Sequence, residues 1–315
     1  MAAAYLDDLD RRIVGALQVN GRASWRRIAD ALGESFSTVT RRGNALISSG
    51  AVRVATLPLG MSTHVVYLDC LPGDIDDVAS SLAADHRAVF VYRLGGSPSI
   101  VAEITAPESE LAQFTRDIAD AHAAIRSVHV APVLRYFQTV AGWRPPVLTD
   151  AEVQALDLDA PPENVGPSGE FDEPDATIVR ALARDGRIAL TTIAEEAGIP
   201  ESTARRRVDH LFTTGRLHTR IVIEPASLGL PVEALLWIQA NPAVTVEVGE
   251  MLAKLPSVRY AALVMGRDAL VVNITMSSFT ELAQLLTGSD WVPRVSAVHS
   301  ELVLASYKRS GVLTR

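Results

Sequence analysis

Two stretches of the sequence combine hydroxyl side chains with arginines at spacings that suit contacts with nucleic acid. SFSTVTRRGNAL (35–46) and ESTARRRVDHL (201–211) each place hydroxyls just ahead of adjacent arginines. In the first turn of a helix, hydroxyls and free backbone N–H groups can face phosphates or base edges, and arginine can bind phosphate or guanine through two hydrogen bonds. The residues predicted to contact DNA are Ser35, Ser37, Thr38, Thr40, Arg41, Arg42, Ser202, Thr203, Arg205, Arg206 and Arg207. Arg26 and Arg27, earlier in the first stretch's domain, are predicted to touch the DNA backbone, and the alternative for all these arginines is a solvated helix face.

The bulk composition limits the class of protein without excluding such contacts. The chain has 315 residues, a formal charge of −8 and one cysteine, Cys70, which excludes a disulfide framework and a multi-thiolate metal site. No apolar run approaches the roughly 20 residues of a membrane span, so we expect a soluble cytoplasmic protein with no metal and no cofactor. Residues 6–56 carry eight arginines against five acids, whereas residues 145–173 carry eight acids. An acidic total is therefore compatible with a basic surface near the start of the chain.

The two arginine-containing stretches belong to an internal repeat. With a shift of 165 residues, LDDLDRRIVGALQVNGR (6–22) aligns without a gap with FDEPDATIVRALARDGR (171–187). The similarity continues more weakly, with a drifting shift, through most of each half. These later matches include ELAQ at 110–113 and 281–284, and His129 against His299. The sequence therefore indicates a duplication of one two-part unit.

Each copy is predicted to contain two domains of an α+β protein. The first part has three helices, a glycine turn between the second and third, and a short wing, which is typical of a winged helix-turn-helix. The second part has the pattern βαββαβ, a ferredoxin-like antiparallel sheet with both helices on one face. The bare face of each sheet must be buried, so the two sheets should pair with each other or across chains. The predicted boundaries are 1–57 and 171–224 for the winged helix-turn-helix domains, 60–144 and 228–315 for the βαββαβ domains, and 145–170 for an acidic, extended Pro/Gly linker.

A winged helix-turn-helix followed by a βαββαβ domain resembles the Lrp/AsnC (feast/famine) family of transcription regulators, whose second part is called the RAM or AsnC-type ligand domain. The likeness rests on LDDLDRRIVGALQVNGR, on the GESFSTVTRR turn and helix, and on the passage from the wing into the second domain. It implies sequence-specific binding of a double-stranded DNA operator by the third helix, sensing of an amino acid or related small molecule, and homo-oligomers formed through the βαββαβ domains. A duplicated chain could present both heads as a covalent pseudo-dimer, or its copies could pair between chains.

The resemblance also points to a ligand site. The family often carries a glycine and a nearby aspartate in the loop between the second and third strands of the ligand domain. The second copy has Gly266-Arg267-Asp268 there, so Asp268 could meet an amine and Arg267 a carboxylate. The alternative is a solvated turn pair. The corresponding loop of the first copy, which contains Gly96 and Ser97, has no charge, so an amino-acid site is expected in the second copy.

Two features predict that the heads are unequal. Gly43 is expected to interrupt the first recognition helix at a cost of about 1 kcal/mol relative to Ala, where the second copy has Val208. Residues 171–223 balance eight arginines with eight acids, so the field of the second head should be the weaker one.

An enzyme is the main alternative, because sirohaem decarboxylases share this architecture. Their strand pair carries a stretch resembling NYxRxHxxNxWF. Only Tyr92-Arg93 matches it here, and no histidine follows. We therefore predict that the protein is not an enzyme, and we retain a regulator with one degenerate head as a further alternative.

Overall fold

The structure, a computed structural model, describes residues 6–58, 62–156 and 171–314, and these form two compact units. One of them, the head unit, combines the described residues before position 62 with residues 144–224. The other, the barrel unit, combines residues 62–143 with those from 225 onward. Each unit therefore contains corresponding domains from both copies of the repeat.

The two copies have the element order predicted from the sequence, which confirms the α+β class. In the first copy the elements are α1 (Asp8–Val19), α2 (Trp25–Leu32), α3 (Phe36–Ser48), β1 (Arg53–Pro58), β2 (Thr63–Cys70), α4 (Ile75–Ala84), β3 (Ala88–Leu94), β4 (Ile100–Thr105), α5 (Glu108–Ala121) and β5 (Ile125–Gln138). A helix between the copies is α6 (Asp150–Leu156). In the second copy the elements are α7 (Glu173–Arg184), α8 (Leu190–Ala197), α9 (Glu201–Thr213), β6 (Leu217–Val222), β7 (Val232–Ala240), α10 (Pro242–Ala253), β8 (Val258–Val264), β9 (Leu270–Met276), α11 (Phe279–Gly288), β10 (Val295–Arg309) and β11 (Val312–Leu313).

Local sequence explains where the helices of the first head begin and turn. The side chains of Asp7, Ser24 and Ser35 accept hydrogen bonds from backbone N–H groups in the first turns of α1, α2 and α3. These N–H groups have no partner within the helix, so a capping oxygen stabilises each start. Gly33 ends α2 at φ 68° and Gly198 ends α8 at φ 64°, a left-handed conformation that glycine adopts without a steric penalty. The predicted glycine turn is confirmed in both copies.

The two heads pair with each other within one chain through their wings. Strand β1 runs antiparallel to β6, with Val54 opposite Ile221, Ala55 opposite Arg220 and Thr56 opposite Thr219. Ala55 and Arg220 are also the residues that the repeat relates by its shift of 165. A pseudo-two-fold axis therefore passes through this position of the ladder.

Contacts on either side of the wings obey the same pseudo-symmetry. Arg22 Nη1 donates to the carbonyl oxygen of Gly186 at 2.6 Å, and Arg187 Nη1 donates to that of Gly21 at 2.7 Å. Each bond is the counterpart of the other under the shift of 165. Reciprocal contacts of this kind define an isologous interface, which here is formed inside a single polypeptide.

The prediction of an extended linker over 145–170 is wrong for its first part. Residues 150–156 form α6, which packs against α1 and α2. Leu156 is fully buried, and Arg12 Nη2 lies 2.6 Å from Glu152 Oε1. Composition suggested too few apolar residues to fold, but a short segment needs few when a neighbouring domain supplies the other side of the core. Residues 157–170 of the predicted linker lie outside the described residues.

The two βαββαβ domains join into one closed antiparallel barrel. The last strand of each copy pairs on both sides, because β5 lies between β2 and β8, and β10 lies between β3 and β7. Eight strands therefore close in the order β10-β3-β4-β2-β5-β8-β9-β7, with β7 returning to β10. Closure buries the faces that the helices leave bare and removes open edges between these strands. The apolar interior draws on both copies, with Val65, Phe90, Tyr92, Leu94, Val101, Ala131, Leu235, Trp237, Tyr260, Ala262, Val264 and Val271.

A buried ion pair ties β10 to β7 inside the barrel. The Glu233 carboxylate accepts hydrogen bonds from Arg309 at 2.9 and 2.6 Å and from Asn273 at 3.1 Å. Burial by itself raises the pKa of Glu233, but the charges of Arg309 and Arg259 outweigh it and hold that pKa below its usual value. Glu233 is therefore ionised, and its charge is matched where the barrel closes.

Candidate DNA-reading surfaces and ligand cleft

Each third helix exposes a serine and an arginine one turn apart. These residues are Ser37 and Arg41 on α3, and Ser202 and Arg206 on α9. Positions four apart lie on the same face of a helix. Within the part of the chain that the structure describes, no ion pair holds Arg41 or Arg206. The four side chains are therefore available to a phosphate or a base edge.

The neighbouring arginines, Arg42 and Arg207, are engaged within the protein. Arg42 Nη1 lies 2.6 Å from Asp7 Oδ2 and 2.9 Å from Asp10 Oδ1, and Arg207 Nη1 binds the two corresponding aspartates of the second copy at 2.8 Å each. The pKa of Asp7 is lowered by a hydrogen bond from the backbone N–H of Asp10 and by Arg42. The DNA contacts predicted for Arg42 and Arg207 stay predictions, and in this structure both arginines are paired with carboxylates. Arg42 and Arg207 fasten the third helix to the start of the first, because carboxylates capping that helix lie within reach.

The predicted hydroxyl contacts of the first head divide in the same way. Ser35 Oγ accepts from the backbone N–H of Thr38 at 3.3 Å and donates to Thr38 Oγ1 at 2.8 Å, so it serves as a helix cap. Thr40 is half-buried, and its hydroxyl oxygen is buried without a partner among the described residues. Ser37 is the exposed hydroxyl of this helix beside Arg41.

The second head presents a different surface at the same positions. Arg205 stands where the first head has Thr40, and Glu201 stands where it has Phe36. Arg205 Nη2 lies 3.2 Å from Glu201 Oε1, and Thr203 is half-buried. Exposed ion pairs of this spacing are weak, so Arg205 can exchange Glu201 for a phosphate.

The two arginines of α2 have unlike surroundings. The guanidinium of Arg26 lies 4.7 Å from the ring centroid of Phe36. Arg27 Nη2 donates to the carbonyl oxygen of Leu156 at 2.9 Å and thereby caps the end of α6. The second copy has threonines at both corresponding positions. Arg26 thus remains near the recognition helix, whereas Arg27 supports the helix between the copies.

The expected interruption of the first recognition helix at Gly43 is wrong, because α3 runs without a break from Phe36 to Ser48. A Cβ atom at Gly43 would lie 2.5 Å from Cη2 of Trp25, whose ring covers this position. Trp25 Nε1 donates to Asn44 Oδ1 at 3.1 Å. The glycine is therefore the space that the tryptophan needs, a close approach that the helix pattern alone could not show.

Gly266, Arg267 and Asp268 line a cleft of about 280 Å³ in the barrel unit. The ring of Tyr67 stacks on that of His129, with the two centroids 5.6 Å apart. Sequence reasoning missed the cleft residues contributed by the first copy, although the repeat had already matched His129 with His299. The remaining walls are Tyr67, His129, Ala131, Val264 and Met265.

The cleft offers a negative and a positive group on one loop. Asp268 Oδ1 accepts a hydrogen bond from Gln239 Nε2 at 2.9 Å, while Arg267 is exposed. Burial, with a contribution from the charge of Asp268, raises the pKa of Tyr67, so its hydroxyl stays neutral. The volume lies just below the range for small-molecule sites, about 300–1,000 Å³, as suits a ligand smaller than a drug. The chemistry therefore suits a small molecule with both an amine and an acid group.

The matching loop of the first copy faces a carboxylate of the protein itself. Ser97 Oγ donates to Asp69 Oδ1 at 2.9 Å, and a Cβ atom at Gly96 would lie 2.5 Å from the carboxyl carbon of Glu301. The carboxylate of Glu301 therefore occupies the space in front of Gly96. The two predicted ligand loops differ in surroundings as well as in charge.

Two helix-turn-helix heads together with paired βαββαβ domains place the protein in the helix-turn-helix class, whose members typically bind DNA. A family model of the AsnC-type helix-turn-helix domain matches residues 6–47 and again 171–211, and a model of the Lrp/AsnC ligand binding domain matches 233–313. The chain belongs to the Lrp/AsnC family of transcription regulators. The repeated match confirms the internal duplication, and regulators of this family bind DNA and small-molecule effectors and form oligomers.

Archaeal regulators are similar to this chain in sequence. An uncharacterised HTH-type transcriptional regulator of Pyrococcus abyssi is 31% identical over 145 residues, which are 45% of this chain and 90% of the relative. The HTH-type transcriptional regulator FL11 of Pyrococcus horikoshii is 29% identical over 141 residues, 44% of this chain and 93% of the relative. Less than half of this chain thus spans nearly a whole relative, as the duplication requires.

A solved structure shares the fold over nearly the whole chain. The sirohaem decarboxylase NirDL superposes with a TM-score of 0.63 at 14% identity, covering 96% of this chain and 93% of that one. At that identity the similarity shows the fold alone.

Over 6–58, 62–156 and 171–314, no helix has both the length and the apolar character to cross a membrane. The same residues contain no group of three or more His, Cys, Asp or Glu side chains placed to hold a metal ion.

Proposed function

We propose that the two heads of one chain together read a single DNA operator. The observation that carries this proposal is the reciprocal pairing of the wings, which presents α3 and α9 as a pseudo-symmetric pair within one polypeptide. Helix-turn-helix regulators bind half-sites related by a two-fold axis, and their half-site spacing follows from the protein's symmetry. Covalent linkage also places the second head close to the DNA once the first has bound.

The two half-sites of this operator differ. Ser37 and Arg41 match Ser202 and Arg206, so both heads share one pair of contacts. Around that pair, the second head substitutes an acid for an aromatic ring and an arginine for a threonine. Each bidentate side-chain contact with a base discriminates by about 1–3 kcal/mol, so changes at these positions alter the preferred sequence.

The effector of this regulator is an amino acid or a close relative, bound in the cleft at Gly266, Arg267 and Asp268. Asp268 meets the amine and Arg267 the carboxylate. The proposal is supported by the size of the cleft and by the opposite charges on one of its loops. Sensing would then consist of a change in DNA affinity when the cleft is filled.

Gel-shift titration against the DNA upstream of the protein's own gene, with and without amino acids, tests both parts. We expect sequence-preferring binding that weakens as salt rises, and a change in affinity with at least one amino acid. Arg41→Ala and Arg206→Ala should each weaken binding if both heads read DNA. Binding that ignores sequence would contradict the regulator proposal. If only one of the two substitutions weakens binding, only one head reads DNA.

The fold similarity to NirDL supplies a second candidate, a sirohaem-decarboxylase-like enzyme. Incubation with sirohaem under anaerobic conditions, followed by mass analysis of the tetrapyrrole, decides between the two. We expect no loss of carboxyl groups, because the candidate cleft described above is small for a tetrapyrrole. Conversion of sirohaem would establish the enzyme instead.

A further inference from the structure

The barrel unit contains two pseudo-equivalent places where a ligand could lie, and the ladder of its strands relates them. Val133 pairs with Val264, and Val303 pairs with Leu94, so positions 133 and 264 correspond to 303 and 94 under a shift of 170. The same shift relates the walls of the two places residue by residue. The corresponding pairs are Tyr67 with Trp237, His129 with His299, Ala131 with Glu301, and Gly266 with Gly96.

At the place formed by the first copy's loop, which contains Gly96, a carboxylate of the protein itself is already bound. Glu301 lies with its carboxyl carbon 2.5 Å from where a Cβ atom on Gly96 would stand, so the carboxylate rests directly on the glycine. His299 Nε2 lies 3.3 Å from Glu301 Oε1 and 3.2 Å from the carbonyl oxygen of Ser97. Both of these partners can only accept, so Nε2 carries the proton. The Glu301 side chain is only 18% exposed.

At the place formed by the second copy's loop, which contains Gly266, the corresponding walls leave an open space. Ala131 stands in place of Glu301 and leaves a cleft of about 280 Å³. A Cβ atom on Gly266 would lie 3.6 Å from His129 Nε2, so the glycine and the histidine face the same space. The ring of Tyr67 stacks on His129 at an interplanar angle of 17° and holds its plane. The side chain that fills one place, Glu301, is thus absent from the other, where alanine stands.

We propose that the open cleft binds its ligand through a carboxylate that lies against Gly266 and His129, as the Glu301 carboxylate lies against Gly96 and His299. Glu301 acts as a built-in occupant that closes the other place, so each chain binds one ligand. His129 is then a positioning residue for the carboxylate, and Arg267 adds positive charge beside it. This inference rests on the proposed function, which supplies the amino-acid class of ligand.

The pose also explains why the charged pair is present in one copy alone. A ligand that carries its own amine needs a counter-charge, and Asp268 provides it. Glu301 has no amine, and Pro98 stands at the position that corresponds to Asp268. The Glu301 carboxylate therefore takes the position of a ligand, and no aspartate is needed in that loop.

Equilibrium dialysis of the full chain against the twenty L-amino acids, with amino-acid analysis of both chambers, tests the proposal. For the wild type we expect binding that saturates at one amino acid per chain. Ala131→Glu should abolish that binding by installing the occupant found at the equivalent position, whereas Glu301→Ala should leave affinity at the open cleft unchanged. Thermal unfolding checks that both variants fold.

A second variant keeps the test decisive if Ala131→Glu does not fold. His129→Phe should weaken binding of the selected amino acid about tenfold, because it keeps a ring against Tyr67 but removes the imidazole N–H that faces the carboxylate. The same variant should have little effect on the corresponding amino-acid amide, which lacks that charge. Absence of any binding to the wild type would contradict the proposed function. Binding at one per chain that neither Ala131→Glu nor His129→Phe disturbs, or that Glu301→Ala abolishes, would overturn this inference while leaving amino-acid sensing intact.

Discussion

At the scale of single residues, adjacent arginines of one helix have separate tasks. Arg41 and Arg206 are exposed, whereas Arg42 and Arg207 each bind two aspartates at the start of the first helix. The side chains leave the helix about 100° apart, so one faces solvent while the other faces its own domain. Sequence could identify both as basic, but only their surroundings show which of them is paired within the protein.

This division predicts different effects for two neighbouring substitutions. Arg41→Ala should weaken operator binding and reduce the slope of log affinity against log salt by about 1, if the contact is to phosphate, with no change in thermal stability. Arg42→Ala should lower the midpoint of thermal unfolding, because it frees Asp7 and Asp10 from their partner. Gel shifts over a salt series and thermal unfolding measure the two effects. Equal loss of affinity with unchanged stability in Arg42→Ala would contradict the division.

At the scale of elements, the same helix position is filled in two ways. In the first head, Gly43 on α3 lies beneath the ring of Trp25. In the second head, the corresponding pair is Val208 and Leu190. The first head thus pairs a large residue with a small one, and the second head pairs two residues of intermediate size. Exchanges that keep the total side-chain volume are tolerated well in packed positions.

Exchanging the pair between copies tests this account. Gly43→Val should destabilise the first head by about 1–3 kcal/mol, because the added side chain meets the tryptophan ring. Adding Trp25→Leu to Gly43→Val should restore most of the stability, since it reproduces the pair of the second copy. Urea unfolding of wild type, single and double variants gives the comparison. A helix merely relieved of a glycine would instead gain stability in the single variant.

The paired wings contain a histidine that makes head pairing sensitive to acid. Burial, with smaller contributions from the charges of Arg220 and Arg144, lowers the pKa of His218 to about 4 from 6.5. The unfolded state then binds more protons between these pH values, so stability is full above about pH 6.5, falls as pH decreases, and changes no further below about 4.

Replacing this histidine should remove the dependence. At pH 5 the wild type should lose on the order of 2 kcal/mol relative to pH 7.5 through this group. His218→Gln should lose that much less over the same interval, because glutamine does not titrate. Thermal unfolding of both proteins at the two pH values measures the difference. Parallel pH profiles for the two proteins would show that His218 does not titrate as described.

At the scale of the whole molecule, duplication has put inside one chain the pairings that separate chains otherwise provide. The wings pair across the pseudo-two-fold axis, and the last strand of each copy closes the barrel against the other copy. Fusion then allows the two partners to diverge, because each surface is encoded by its own segment of the chain and can change without the other. The different residues that α3 and α9 expose, and the different side chains at positions 131 and 301, are examples of such divergence. Association of whole chains into larger homo-oligomers stays a prediction.

The divergence predicts an operator without perfect symmetry. Selection from a random DNA library should return two unlike half-sites for the wild type. The variant Glu201→Phe with Arg205→Thr, which gives α9 the first head's residues at these positions, should prefer two copies of the first half-site. Sequencing of the selected DNA, followed by gel shifts on each symmetric and asymmetric operator, compares the two proteins. A perfect palindrome selected by the wild type would contradict this prediction.

The sequence by itself determined the duplication, the element order, the glycine turns and the loop with Asp268. These depend on local rules such as helix periodicity, capping and the conformational freedom of glycine, which act over a few residues. Only the tertiary structure decided that the sheets close within one chain, that α6 packs on the first head, that Arg42 is engaged and that Glu301 lies against Gly96. Each of these depends on a partner distant in sequence, and no local pattern specifies which surface will meet it.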